Sequence, residues 1–131
     1  MPGVYLDTSA LGRVLLGEPD SASVLAALSA FDQHVASRLL RIELRRLALR
    51  HNLLENADQL LGAVALVPMD EPILEAAETV PPESVATLDA IHLATALRLA
   101  TGGVVDAVLT YDERLASGAR HHGLEVLPGP G

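Results

Sequence analysis

Two periodicities alternate along this chain of 131 residues. Short apolar runs at 4–6, 34–36, 63–67, 107–110 and 124–127 read as buried strands, the run at 34–36 being the weakest. Between them apolar residues return every three or four positions, as on one face of a helix. Helices are expected over 10–16, 21–30, from Ser37 to about 50, over 56–61 and 71–80, from Ser84 or Thr87 to about 100, and over 112–121. The punctuation agrees. Gly17 and Pro19 close the first helix, Asp20 or Ser21 can cap the second, and Pro68 stops the third strand. Pro72 suits a first helical turn, Pro81-Pro82 breaks the chain, and Gly102-Gly103 ends the helix before it. Strands that alternate with helices in this way form a mainly parallel sheet covered on both faces. One α/β domain, a three-layer α/β/α arrangement over 1–131 with a loose tail at 128–131, is the expectation.

Composition narrows the classes. Half of the residues are hydrophobic and 20% are charged, which supports a core and speaks against intrinsic disorder. Without cysteine there is no disulfide framework, thiolate nucleophile or cysteine zinc site. No run of about 18 apolar residues is available to span a membrane. Residues 1–7 lack the basic and apolar regions of a signal peptide. A soluble, cytoplasmic protein is expected. All nine basic residues are arginine, against 17 acids and a net charge of −8. The lack of lysine excludes a Walker-type phosphate lysine, a Schiff base and the lysine of a phospho-acceptor receiver domain. So acidic a chain approaches phosphates through a metal ion or a local group of arginines.

Ligands of an open parallel sheet bind outside the carboxyl ends of its strands. Asp7 directly follows the first strand and Asp112 comes just after the fourth, so both are expected on that rim. Each also suits a helix N-cap, a common place for aspartate. Asp89 lies in Val85-Ala86-Thr87-Leu88-Asp89-Ala90-Ile91-His92-Leu93, a helix apolar nearly all round and therefore expected to be buried. A lone carboxylate there needs a partner or a metal; a first-turn position, favoured by the helix dipole, is the alternative. His92 shares its face as a second ligand or a hydrogen-bond partner. Glu43 reads first as an exposed helix glutamate paired with Arg46 or Arg50. Those two arginines form either a phosphate-steering face or an ordinary solvated one.

Taken together, Asp7-Thr8-Ser9, Ser37 with Arg41-Ile42-Glu43-Leu44, Leu88-Asp89-Ala90-Ile91-His92-Leu93-Ala94-Thr95-Ala96 and Thr110-Tyr111-Asp112-Glu113-Arg114-Leu115 resemble a PIN-domain ribonuclease. The similarity is greatest to the VapC-like toxins of VapBC toxin–antitoxin pairs. It runs from Asp7 to Val126, in the family's order and at about its spacing. It implies a three-layer fold with a five-stranded parallel sheet, and four acids gathered at one end: Asp7, Glu43, Asp89 and Asp112. It further implies Mg2+ or Mn2+ at those acids, cleavage of single-stranded or looped RNA, and hydroxyls at Ser9 and Thr110 that hold the cluster together. Glu113 departs slightly from the family pattern and is expected to point away. The implied partners are an RNA substrate, a VapB-like antitoxin and a second copy of the chain in a homodimer.

Elementary electrostatics asks for a metal independently. Two carboxylates about 4 Å apart repel by roughly 4 kcal/mol at an effective dielectric near 20. Four cannot converge ionised without a cation or shared protons. Oxygen ligands without cysteine favour magnesium or manganese over zinc. Asp7 and Asp89 are the expected core ligands, with Glu43 and Asp112 further out or acting through water. Among rivals, a phosphatase of the haloacid-dehalogenase type needs an Asp where Ser9 stands, and a receiver domain needs a lysine. The remaining alternative is a catalytically silent binding protein on the same fold, which has no physical reason to keep a repulsive acid cluster.

Overall fold

The computed structural model describes residues 3–128; apart from Pro128, the expected tail at 128–131 lies outside them. In chain order the elements are β1 (Gly3–Leu6), α1 (Thr8–Leu15), α2 (Ser21–Ser29), β2 (Gln33–Ser37), α3 (Arg38–Arg50) and α4 (Leu54–Leu61). There follow β3 (Ala65–Val67), α5 (Glu71–Ala77), α6 (Thr87–Thr101), β4 (Ala107–Leu109), α7 (Glu113–His121) and β5 (Glu125–Leu127). The strands form one sheet in the order β3-β2-β1-β4-β5, and every pairing is parallel.

The side-chain alternation of a strand divides the core into two layers. Val4, Leu6, Ala36, Ala107 and Leu109 face one side, where they meet Leu11, Val24, Leu28, Leu40, Leu44 and Ala57 of α1 to α4. Tyr5, Val35, Val108 and Val126 face the other, against Leu93 and Ala96 of α6 and Leu115 and Ala119 of α7. α5 lies along α6, with Ile73 buried. These are the three layers expected. Among the described residues no helix is long and apolar enough to cross a membrane.

Several boundaries move, each for a local reason. β3 begins at Ala65 rather than 63, because the N–H groups of Ala63 and Val64 turn back to the carbonyls of Leu60 and Leu61 at the end of α4. β4 ends at Leu109, although the Thr110 N–H still bonds the Leu127 carbonyl at 3.0 Å. α5 stops at Ala77, short of 80. Neither Ser84 nor Thr87 caps α6; Ala86 occupies the cap and Thr87 is already helical. Asp20 stands at the cap of α2, but its carboxylate turns to Arg13 at 3.0 Å instead of to the backbone.

The chain builds outward through β1, β2 and β3, then crosses to the other side for β4 and β5. The strand order therefore reverses between β1 and β4, and the crevice for a ligand opens beyond their carboxyl ends. α3 reaches this rim by burying Leu40, Leu44 and Ala48 against the sheet. Replacing fully buried Leu44 with alanine should cost about 2–5 kcal/mol of stability. Leu49→Ala on the exposed face of the same helix should stay within about 0.5 kcal/mol. Urea unfolding of the two variants checks the contrast, and equal losses would contradict this docking of α3.

Candidate active site

Asp7 leaves the end of β1 and is only 3% exposed. It occupies the N-cap position of α1 without a side-chain capping bond; its Oδ1 instead accepts from the Ser9 hydroxyl at 2.7 Å. The Ser9 oxygen in turn accepts from the Tyr111 N–H at 2.8 Å and lies 3.2 Å from the Thr110 hydroxyl. Thr110 accepts from the Asp112 N–H at 3.0 Å. The half-buried Ser9 hydroxyl and the buried Thr110 hydroxyl thus stitch the end of β1 to the end of β4. Arg13 adds a cation–π contact, its guanidinium carbon 4.2 Å from the centre of the Tyr111 ring.

Asp112 does cap its helix. Its Oδ1 accepts from the N–H groups of Arg114 and Leu115 at 2.9 and 3.0 Å. Capping engages one carboxylate oxygen, so the cap role and a role at the rim are compatible. Glu113 beside it is exposed.

For Glu43 the expected pairing with Arg46 or Arg50 is not what the structure holds. The glutamate is half-buried, and its Oε1 accepts from the Thr8 hydroxyl at 2.7 Å and from His92 Nε2 at 2.8 Å. The reason is orientation. Glu43 shares the inward flank of α3 with Leu44, whereas Arg46 and Arg50 lie on its exposed side. Neither arginine joins an ion pair among the described residues. Arg50 also sits seven positions beyond Glu43, about 10 Å along the helix axis.

His92 is buried at 2% exposure, and both ring nitrogens are engaged. Nε2 meets Glu43, and Nδ1 lies 2.7 Å from the Tyr5 hydroxyl, whose oxygen accepts from the Ser37 N–H at 3.3 Å. Of the two expected roles, that leaves hydrogen-bond partner and not metal ligand.

Asp89 corrects another expectation. It is half-buried rather than buried, because it stands in the first turn of α6, where residues 86–88 are exposed. The buried part of the helix starts at Ala90. Burial and then the nearby charge of Asp112 push the Asp89 carboxyl up to about 6, with Asp7 and Glu43 adding to the rise and His92 opposing it. Burial likewise raises Asp7, against the hydrogen bond from Ser9 and the attraction of His92. At Glu43 burial also pushes upward, but the hydrogen bonds from His92 and Thr8 outweigh it and hold the carboxyl below its ordinary value.

Asp89 therefore feels the charges of Asp112, Asp7 and Glu43, and Asp7, Asp89 and Asp112 take part in no ion pair among the described residues. Among those residues no group of three Asp, Glu or His side chains is drawn together as a ready-made metal cage. Magnesium is ordinarily held by one or two carboxylates together with its own waters, so a looser set of oxygen donors fits that ion. An uncompensated buried carboxylate fits a cation as well.

Tyr5 and Thr8 were not singled out by their sequence. Tyr5 left one signal, since it is a phenol inside an otherwise aliphatic buried strand and its hydroxyl must find a partner. Thr8 left none beyond its place between Asp7 and Ser9.

The PIN domain family model matches residues 4–121. Ribonuclease VapC47 of Mycobacterium tuberculosis is 37% identical, over 98% of this chain and 97% of its own length. A toxin–antitoxin complex from Klebsiella pneumoniae superposes with a TM-score of 0.68 at 20% identity, over 83% of this chain and 86% of that one. VapC20 of Mycobacterium tuberculosis, described as a sarcin–ricin loop cleaving toxin, gives 0.68 at 14% identity over 87% and 93%. The chain belongs to the PIN domain family.

These electrostatics set a pH dependence. Asp89 ionises near 3.8 in the unfolded chain and near 6 in the folded one, so between those values the folded state holds the extra proton. Metal-free protein should therefore lose stability as pH rises through this window, and stay lower above it. The raised carboxyl of Asp7 acts in the same direction. Asp89→Asn should make the decline shallower and raise the melting temperature above about pH 6. Thermal melts in chelator across the window check this; parallel profiles for the two proteins would refute the coupling.

Proposed function

We propose that the protein is a metal-dependent endoribonuclease, the toxin of a toxin–antitoxin pair, that hydrolyses RNA phosphodiester bonds at the carboxyl rim of β1 and β4. The observation that supports this reading is the charge of Asp112, Asp7 and Glu43 felt at Asp89, near the point where the strand order reverses. The relationship to Ribonuclease VapC47 supports RNA as the substrate. The Klebsiella toxin–antitoxin complex, alike in fold, supports a VapB-like antitoxin as partner. A homodimer belongs to the same reading.

In this mechanism Asp7 and Asp89 would hold Mg2+ or Mn2+, with Glu43 and Asp112 contributing through water. The bound ion supplies Lewis acidity, which makes water a nucleophile at neutral pH and offsets charge on the phosphate. The chain itself sets the geometry. Ser9 fixes the Asp7 carboxylate, Thr110 and the α7 backbone fix Asp112, and Thr8 with His92 fixes Glu43. Asp89, with no such anchor among its hydrogen bonds, is the acid most free to adjust to ion and substrate. Arg46 and Arg50, exposed on α3, are the candidates for steering RNA toward the rim.

The test is cleavage of a cellular RNA pool by the purified, partner-free protein with magnesium, with manganese and with chelator. Metal-dependent cutting that disappears in Asp7→Asn is the expected result. Magnesium should also raise the melting temperature of wild type and leave Asp89→Asn unmoved. Neither cutting nor metal binding would turn the reading toward the catalytically silent binding protein.

A further inference from the structure

Asp7, Asp89 and Asp112 each stand at a strand end or in the first turn of a helix, where the backbone limits their reach. Glu43 does not. It lies in the second turn of α3 on a longer side chain, and its carboxylate is placed by contacts from two other elements, Thr8 of α1 and His92 of α6.

Those contacts form a continuous relay. The Ser37 N–H, immediately before α3, donates to the Tyr5 oxygen of β1. Tyr5 meets His92 Nδ1 of α6 at 2.7 Å, and His92 Nε2 meets Glu43 Oε1 back on α3 at 2.8 Å. A carboxylate only accepts, so Nε2 carries the hydrogen of that last bond. In the neutral imidazole Nδ1 is then the acceptor, and Tyr5 donates to it. Tyr5 and His92 are at 0% and 2% exposure, so water does not compete for these bonds. Thr8 binds the same oxygen, Oε1, at 2.7 Å. Both anchors thus hold one oxygen of Glu43 and leave Oε2 for the rim.

We infer that His92, backed by Tyr5, is a positioning residue that locks Glu43 Oε1 so that Oε2 is presented to the metal-binding side of the cluster. The inference rests on the metal-dependent reading above. A histidine that merely fastened α6 to β1 would matter for stability and not for the ion. Partners of this outer kind typically change metal affinity 10–100-fold when removed.

Calorimetric titration of Mg2+ into the partner-free full chain tests it, with the melting temperature of each variant measured alongside. His92→Leu should lose about 10–100-fold in Mg2+ affinity, with a parallel fall in RNA cleavage. His92→Gln, whose side-chain amide can donate where Nε2 does, should recover most of that affinity despite losing Tyr5. Tyr5→Phe should fall between the two. A folded His92→Leu that binds Mg2+ like wild type overturns the inference, and so does His92→Gln as impaired as His92→Leu. If His92→Leu does not fold, Tyr5→Phe decides: weakened Mg2+ binding supports the relay, wild-type binding overturns it. Wild type and Asp7→Asn run as controls. Loss of Mg2+ binding in Asp7→Asn with none in the relay variants would overturn the relay alone, whereas a wild type that neither binds Mg2+ nor cuts RNA would overturn the metal-dependent reading beneath it.

Discussion

A carboxylate set where water scarcely reaches governs the rest of this rim. Asp7 follows a strand that is buried along its whole length, and the fold answers its charge with hydroxyl dipoles rather than with a basic side chain. Ser9 donates directly, and Thr110 supports Ser9 from the neighbouring strand end. Dipoles of this kind orient a carboxylate but do not cancel it. Burial raises the carboxyl of Asp89, and the neighbouring acids add to the rise, Asp112 most and Asp7 and Glu43 less, against His92. A cation bound there would relieve the repulsion among these carboxylates, which is the physical ground for the metal-dependent reading proposed above.

The layout follows from topology. A parallel sheet whose order reverses between β1 and β4 brings the segments after both strands to one crevice, and these segments carry Asp7 and Thr110 through Asp112. α3 and α6 start at the same end of the sheet and flank it from opposite layers. Glu43 and Asp89 thus come from above and below the sheet, while Asp7 and Asp112 come from its edge-on centre.

Much of this could be read from sequence, and the failures are instructive. The strands were legible because buried parallel strands are continuous apolar runs, and Asp7 and Asp112 because they directly follow two of them. Glu43 was harder. Its apparent partners, Arg46 and Arg50, stand at helical spacing, whereas its actual partner His92 lies 49 positions away and reaches it only through tertiary packing. Asp89 misled in the opposite sense, since the apolar length of α6 implied burial, whereas the first turn of the helix stays largely exposed. Tyr5 shows the same limit. Strand periodicity gives the face a side chain occupies, but not which polar group waits beneath it.

A division of labour among the acids follows from how each is held. Two of the acids have local anchors: Ser9 is two residues from Asp7, and the Asp112 cap bonds its own helix. Such anchors survive as long as the strand ends do. The anchor of Glu43 instead joins β1, α3 and α6 through two buried rings, so its geometry depends on the packing of both layers against the sheet. A long-range anchor of that kind is a costly way to place an ordinary surface glutamate, because Tyr5 and His92 must each be buried with their polar atoms satisfied. It is a reasonable way to place a carboxylate on the inward flank of α3, since an unanchored glutamate would be free to swing outward toward Arg46 and solvent. The relay thus places Glu43 through contacts among β1, α3 and α6 that no local hydrogen bond could supply.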